Sequence, residues 1–226
     1  MAKNNPAKRQ KSDSSARSVF VYTGAGCSVP KDVVRVKFDP SVVEVANCAF
    51  ENCCTRLREV VLNNGLQKVG YFAFSNCTSL QDITFPSSIT EIGEGAFVNC
   101  ENLRELVLNN GLQKIGKYAF YNCKSLESIS VPSTVLQIGE CAFARCESLR
   151  EVILHVGMVL FSAFEHCRSV QVFRFPLLSW RLVAIAGHWK ELSNIVNESP
   201  DVVKRMEDGE MFSSYAYKWA IGDIFS

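Results

Sequence analysis

The chain of 226 residues has no Cys-x-x-Cys pair, only three histidines, a net charge of just +1 and no long apolar run. Without Cys-x-x-Cys there is no local signature of a zinc site or of a thioredoxin-like redox motif. The near-zero charge gives no bulk attraction to nucleic acid or to an anionic membrane. No uncharged apolar stretch approaches the roughly 20 residues a membrane helix needs, and the opening MAKNNPAKRQKSDSSARS lacks the apolar segment of an export signal. An intracellular protein, cytoplasmic or nuclear and not inserted in a membrane, is therefore expected, with its ten cysteines reduced. A hydrophobic fraction of 47% against 21% charged residues suffices for a sizeable core.

What the sequence does have is repetition. Phe50, Phe74, Phe97, Phe120, Phe143 and Phe164 recur at intervals of 24, 23, 23, 23 and 21, each preceded by alanine and followed three residues later by Cys53, Cys77, Cys100, Cys123, Cys146 or Cys167. The unit reads L-x-x-I-x-L-(P/N)-x-x-L-x-x-I-G-x-x-A-F-x-x-C, and a fixed period of this length marks stacked repeats. A doubled period overlies it: residues 57–100 match 103–146 at 27 of 44 positions, so a two-coil unit has been duplicated.

Each repeated letter has a physical task. Leu80, Ile83 and Phe85 and their equivalents bracket a short alternating segment, which predicts one strand per coil. Pro86, Pro132 and Pro176 end it by withholding an N–H, and Asn63-Asn64-Gly65 and Asn109-Asn110-Gly111 turn the chain by different chemistry. Gly70, Gly93, Gly116 and Gly139 share one phase, which requires either a positive φ or close passage of a neighbouring backbone. Ala46 and Leu160 replace glycine in the first and last coils. One coil cannot bury its apolar residues alone, whereas parallel strands stacked at roughly 4.8 Å can.

The segment LQDITFPSSITEIGEGAFVNCENL (80–103) and its copies, spanning about residues 36–176, closely resemble the BspA-type leucine-rich repeat family. The resemblance implies an α/β right-handed leucine-rich repeat solenoid, about six coils of 23 residues, with a parallel sheet on one face and short helical or irregular turns on the other. It also implies an interaction protein; the export signal of the family's adhesin members is missing. The residues themselves point to a noncatalytic module without a cofactor or metal, with a structural or adaptor role as the second reading and an enzyme as the third.

Little in the repeat points to chemistry. Cys167 beside His166 could be drawn as nucleophile and base, but Cys167 holds the position that cysteine fills in every coil, where a thiol packs as a small hydrophobe. Cys48 and Cys141 read as filler, Cys27 and Cys54 have no assigned role, and Gly24-Ala25-Gly26 is too short for a phosphate loop. The Asn76-Cys77-Thr78 and Asn197-Glu198-Ser199 sequons should stay unused without export.

The outward sheet face is the candidate binding site. One file holds Glu59, Asp82, Glu105, Ser128, Glu151 and Val172, the next Val61, Thr84, Val107, Ser130, Ile153 and Arg174, with Arg58, Arg104 and Arg150 at the strand entrances. Two readings remain open: a solvated face carried along by duplication, or a groove for a protein partner, selected as basic by the acids.

Residues 19–38 alternate as an N-terminal cap should, and 1–18 form a basic tail whose composition predicts disorder. The tail carries Lys3, Lys8, Arg9, Lys11 and Arg17 against Asp13, which reads as a weak nuclear signal or as a solubilising segment. Beyond Pro176 the period stops. Leu178, Leu182, Ile185, Trp189, Leu192 and Val196 at helical spacing predict a C-terminal helical region over 177–226. A second helix is expected to start at Ser199-Pro200. This region serves either as a cap over the core or as an adaptor surface docking through Trp180, Trp189 and Trp219.

Overall fold

A computed structural model describes residues 19–52, 55–154 and 161–174. The basic tail, the C-terminal helical region, Cys53, Cys54, His155, Leu160 and His188 lie outside the described residues.

The longer alternating segments form the first sheet side: β1 (Val19–Tyr22), β2 (Arg35–Phe38), β4 (Glu59–Val61), β6 (Asp82–Thr84), β8 (Glu105–Val107), β10 (Ser128–Val131), β12 (Glu151–Leu154) and β13 (Val172–Arg174). They hydrogen-bond as β1-β2-β4, β6-β8 and β10-β12-β13, all pairs parallel, with β4 packed beside β6 and β8 beside β10. Within β6 and β8 only the middle residue is buried, Ile83 and Leu106, because strand side chains alternate between faces.

The expectation of one strand per coil is corrected. A second, five-stranded parallel sheet runs β3 (Glu44–Val45), β5 (Lys68–Val69), β7 (Glu91–Ile92), β9 (Lys114–Ile115) and β11 (Gln137–Ile138). Each strand is one outward polar residue followed by a buried Val or Ile. The described residues form a parallel-strand solenoid of about five turns. Turns link its two sheets, and the one helix among the described residues is the 3-10 turn Phe161–Phe164.

The core is a set of columns. Phe50, Phe74, Phe97, Phe120, Phe143 and Phe164 stack face to face at 4.8, 5.0, 5.3, 5.2 and 5.2 Å between ring centroids. Tyr22 and Phe38 lie tilted against Phe50 at the first end of this column. Cys77, Cys100, Cys123, Cys146 and Cys167 form a parallel column, each thiol directed at the carbonyl of the phenylalanine in the preceding coil.

The repeated glycines serve close approach. A Cβ on Gly116 would sit 2.6 Å from the Glu94 nitrogen and the Gly93 carbonyl carbon, and one on Gly139 2.4 Å from the Lys117 nitrogen. None of the four has a positive φ. Left-handed backbone falls two residues later instead, at Cys48, Phe72, Gly95, Tyr118 and Cys141, and again at Asn52, Asn76, Asn99 and Asn122. Asparagine tolerates this region better than most side chains. Here its amides also form a ladder, Asn76 to Asn52 at 2.6 Å, Asn99 to Asn76 at 2.8 Å and Asn122 to Asn99 at 2.9 Å.

Candidate binding face

Pairing register places the outward residues of the first sheet in two files. Asp82 is opposite Glu105 and Thr84 opposite Val107; Ser128, Glu151 and Val172 align, as do Ser130, Ile153 and Arg174. Glu59 and Val61 hold the same phase on β4, and the face extends further than sequence reasoning found. Arg35 aligns with Glu59 and Lys37 with Val61, and Val19 and Val21 continue both files onto β1. The signal was present in the sequence, since Arg35 and Lys37 precede Glu59 and Val61 by the same interval that separates Phe50 from Phe74.

Charge on this face is unevenly compensated. The Arg35 guanidinium holds the Glu59 carboxylate through Nε at 2.6 Å and Nη2 at 2.5 Å. Asp82 and Glu105 stand side by side, exposed, and form no ion pair among the described residues. Arg58, Arg104 and Arg150 stand exposed at the position before β4, β8 and β12. Val61 and Val107 are 47% and 44% exposed.

The second sheet is the opposite case. Its outward file reads Glu44, Lys68, Glu91, Lys114, Gln137, and the charges pair along it: Lys68 with Glu44 at 4.0 Å and with Glu91 at 3.6 Å, and Lys114 with Glu91 at 3.1 Å. The Lys114 hydrogen bond, against some desolvation, holds the Glu91 carboxyl below its ordinary value. Exposed pairs of this kind contribute only about 0–1 kcal/mol each, so the ladder's main effect is to leave this face electrostatically satisfied.

The Cys167 and His166 pair does not assemble a nucleophile. The Cys167 thiol points to the Phe143 carbonyl at 3.0 Å, while His166 sits exposed on left-handed backbone in the turn. Burial pushes the Cys100 thiol up to about 12 and drives Cys123 and Cys146 well above the ordinary 9.0. In each case the native state keeps a proton that the unfolded chain releases near its ordinary thiol value. For Cys100 the resulting stability is fully present below about pH 9 and is lost as pH rises toward about 12. We therefore expect the denaturation midpoint to fall from pH 9 to pH 11, and to fall less in Cys100→Ala. An equal fall in both would show that the Cys100 thiol does not contribute.

Stacked parallel strands on two sides, a one-residue-wide aromatic column and a glycine column together define the leucine-rich repeat class. The family model described as "BspA type Leucine rich repeat region" matches residues 30–150 in six copies, and the chain belongs to that family. A leucine-rich repeat protein from Bacteroides ovatus ATCC 8483 is similar at 29% identity and a TM-score of 0.57, over 62% of this chain. The chain spans 39% of the length of that protein. The T. pallidum leucine-rich repeat protein, TpLRR, is similar at 26% identity and a TM-score of 0.60, over 86% of this chain and 89% of that one. No curated protein matches. Repeat proteins of this family suggest an interaction module, and no helix among the described residues is long and apolar enough to cross a membrane.

Proposed function

We propose that the chain is a noncatalytic protein-binding module that receives its ligand on the first sheet, over Glu59, Asp82, Glu105 and Glu151 and over Val61, Thr84, Val107, Ile153 and Arg174. The supporting observation is the contrast between the two sheets. The second cancels its own charges along Glu44, Lys68, Glu91 and Lys114, whereas the first leaves Asp82 and Glu105 uncompensated beside bare Val61 and Val107. Apolar side chains supply contact area there, and neighbouring carboxylates favour a partner that brings positive charge. An intracellular site of action fits the buried Cys100, Cys123 and Cys146 thiols, which a reducing compartment keeps unoxidised.

The test compares quantitative affinity capture by the wild-type chain, by Glu105→Lys on the first sheet and by Glu91→Lys on the second. Both changes lie on exposed or half-exposed positions, and thermal melts establish that each variant is folded. Partners lost with Glu105→Lys and kept with Glu91→Lys support the reading. Partners kept by both variants move the function off this face.

A further inference from the structure

Both sheets begin with an end strand at the first coils, and only one of the two edges is closed. In the second sheet the Val43 and Val45 carbonyls accept from Gln67 and Gly70 on the β5 side. Ala46, on the opposite phase, gives its N–H to the Tyr22 hydroxyl at 3.1 Å, so a side chain caps that edge. The first sheet begins at β1, the end strand of the order β1-β2-β4. The Tyr22 carbonyl accepts the Asp39 N–H at 3.0 Å and β1 runs parallel to β2, so Phe20 and Tyr22 turn their backbone groups toward β2. Alternation turns those of Val19 and Val21 the other way, where β1 has no neighbouring strand among the described residues.

Edge strands are ordinarily blunted by a charge, a proline or a bulge, and β1 contains none of these. It reads Val19-Phe20-Val21-Tyr22, with Val19 and Val21 48% and 47% exposed and Phe20 only partly buried. The chain then turns through Gly24 and Gly26, both at positive φ, and packs Cys27 and Val29 against the core. Residues 1–18 join β1 directly, but their sequence holds no β-branched or aromatic residue and is poor material for an adjoining strand. The best strand-forming segment available to this edge is therefore the same edge of another copy.

We infer that β1 is an interface between two copies of this chain, paired antiparallel about a two-fold axis at Phe20. On that axis Val19 of each copy exchanges both backbone hydrogen bonds with Val21 of the other, and all four outward N–H and C=O groups of the strand are satisfied. Directly opposed residues in an antiparallel pair share a face. Val19 therefore meets Val21 on the outer face, and the two partly buried Phe20 rings cover each other on the inner one. An axis between Phe20 and Val21 would instead set inner residues against outer ones. No like charges meet across the pair, because β1 carries none. The contact goes beyond the binding-face reading and does not depend on it: Asp82, Glu105 and Val107 lie on β6 and β8, clear of the edge. A four-residue edge is smaller than the roughly 800 Å² per partner of a standard stable interface, so the pairing is reversible and depends on concentration.

Sedimentation equilibrium of the full chain over about a hundredfold range of concentration should show monomer passing to dimer and no further. Val21→Pro withdraws an outward N–H and none that faces β2, and Val21→Lys places a charge on the edge. Each should raise the dimer dissociation constant at least about tenfold, with thermal melts establishing that the variants fold. Leu136→Lys removes an apolar side chain that is 75% exposed elsewhere on the surface, and should leave the constant unchanged. Oxidised Phe20→Cys should yield, by mass spectrometry, a peptide joined through position 20 of both copies, because opposed residues at the axis lie within disulfide reach. A chain that stays monomeric throughout overturns the inference, as does a dimer indifferent to both Val21 changes. Assemblies that grow past a dimer, or a dimer that never links through position 20, overturn it as well.

Discussion

Phe97→Ala is expected to lower the unfolding free energy by about 3–5 kcal/mol, the range for truncating a fully buried aromatic ring. Phe97 is fully buried, lies between Phe74 at 5.0 Å and Phe120 at 5.3 Å, and takes Phe85 edge-on at 5.7 Å. Removing it opens a void that rigid neighbouring coils cannot fill, and it takes away two stacking contacts at once. Because each coil of a solenoid touches only its neighbours, the break lies between two half-columns. Urea denaturation followed by circular dichroism should therefore show a lower midpoint and a broader or split transition. A loss below about 1 kcal/mol would mean that the ring column is not a continuous stabilising element.

Gly116→Ala is expected to cost about 3 kcal/mol, the upper part of the range for overpacking. The new carbon would meet backbone on the preceding coil, 2.6 Å from the Glu94 nitrogen and from the Gly93 carbon, and backbone cannot rotate away as a side chain can. Since φ at Gly116 is not positive, the cost is steric, and it falls on the ladder bond from the Gly116 nitrogen to the Ile92 oxygen at 2.8 Å. Ala46 is the internal control. It holds the same phase in the coil of β3, the end strand of the second sheet, where no preceding strand of that sheet lies among the described residues. Ala46→Gly should cost no more than the roughly 0.5–1 kcal/mol of added chain entropy. Thermal melts of both variants provide the comparison, and equal effects at the two positions would contradict the close-approach account.

These same residues show how far the sequence could be read. The first sheet was legible because Ile83, Leu106 and Ile129 are flanked by outward residues often enough for alternation to register. The second sheet was not, because a strand such as Lys114–Ile115 contains a single alternation, indistinguishable from turn. The glycine phase was plain from sequence, but only the stacked backbone decides between positive φ and crowding. Left-handed Phe72 and Tyr118 carry no local signal at all, since bulky residues rarely adopt that region and tertiary packing holds them there. The outward files were legible as composition. Their charge balance was not, because the repeat interval aligns Arg35 with Glu59 but only the side-chain geometry shows that the two are in contact.

The turn column two residues after each glycine phase also constrains how the molecule can change length. Along it the residues alternate small and large, Cys48, Phe72, Gly95, Tyr118, Cys141, and a Cβ at Gly95 would lie 2.4 Å from the Phe72 ring. The second-sheet file alternates sign in the same rhythm, Lys68, Glu91, Lys114. Excising the single coil between Phe72 and Tyr118 would bring ring against ring and ammonium against ammonium. Removal of that one coil would therefore carry a steric and a coulombic penalty together, whereas removal of two would restore both alternations.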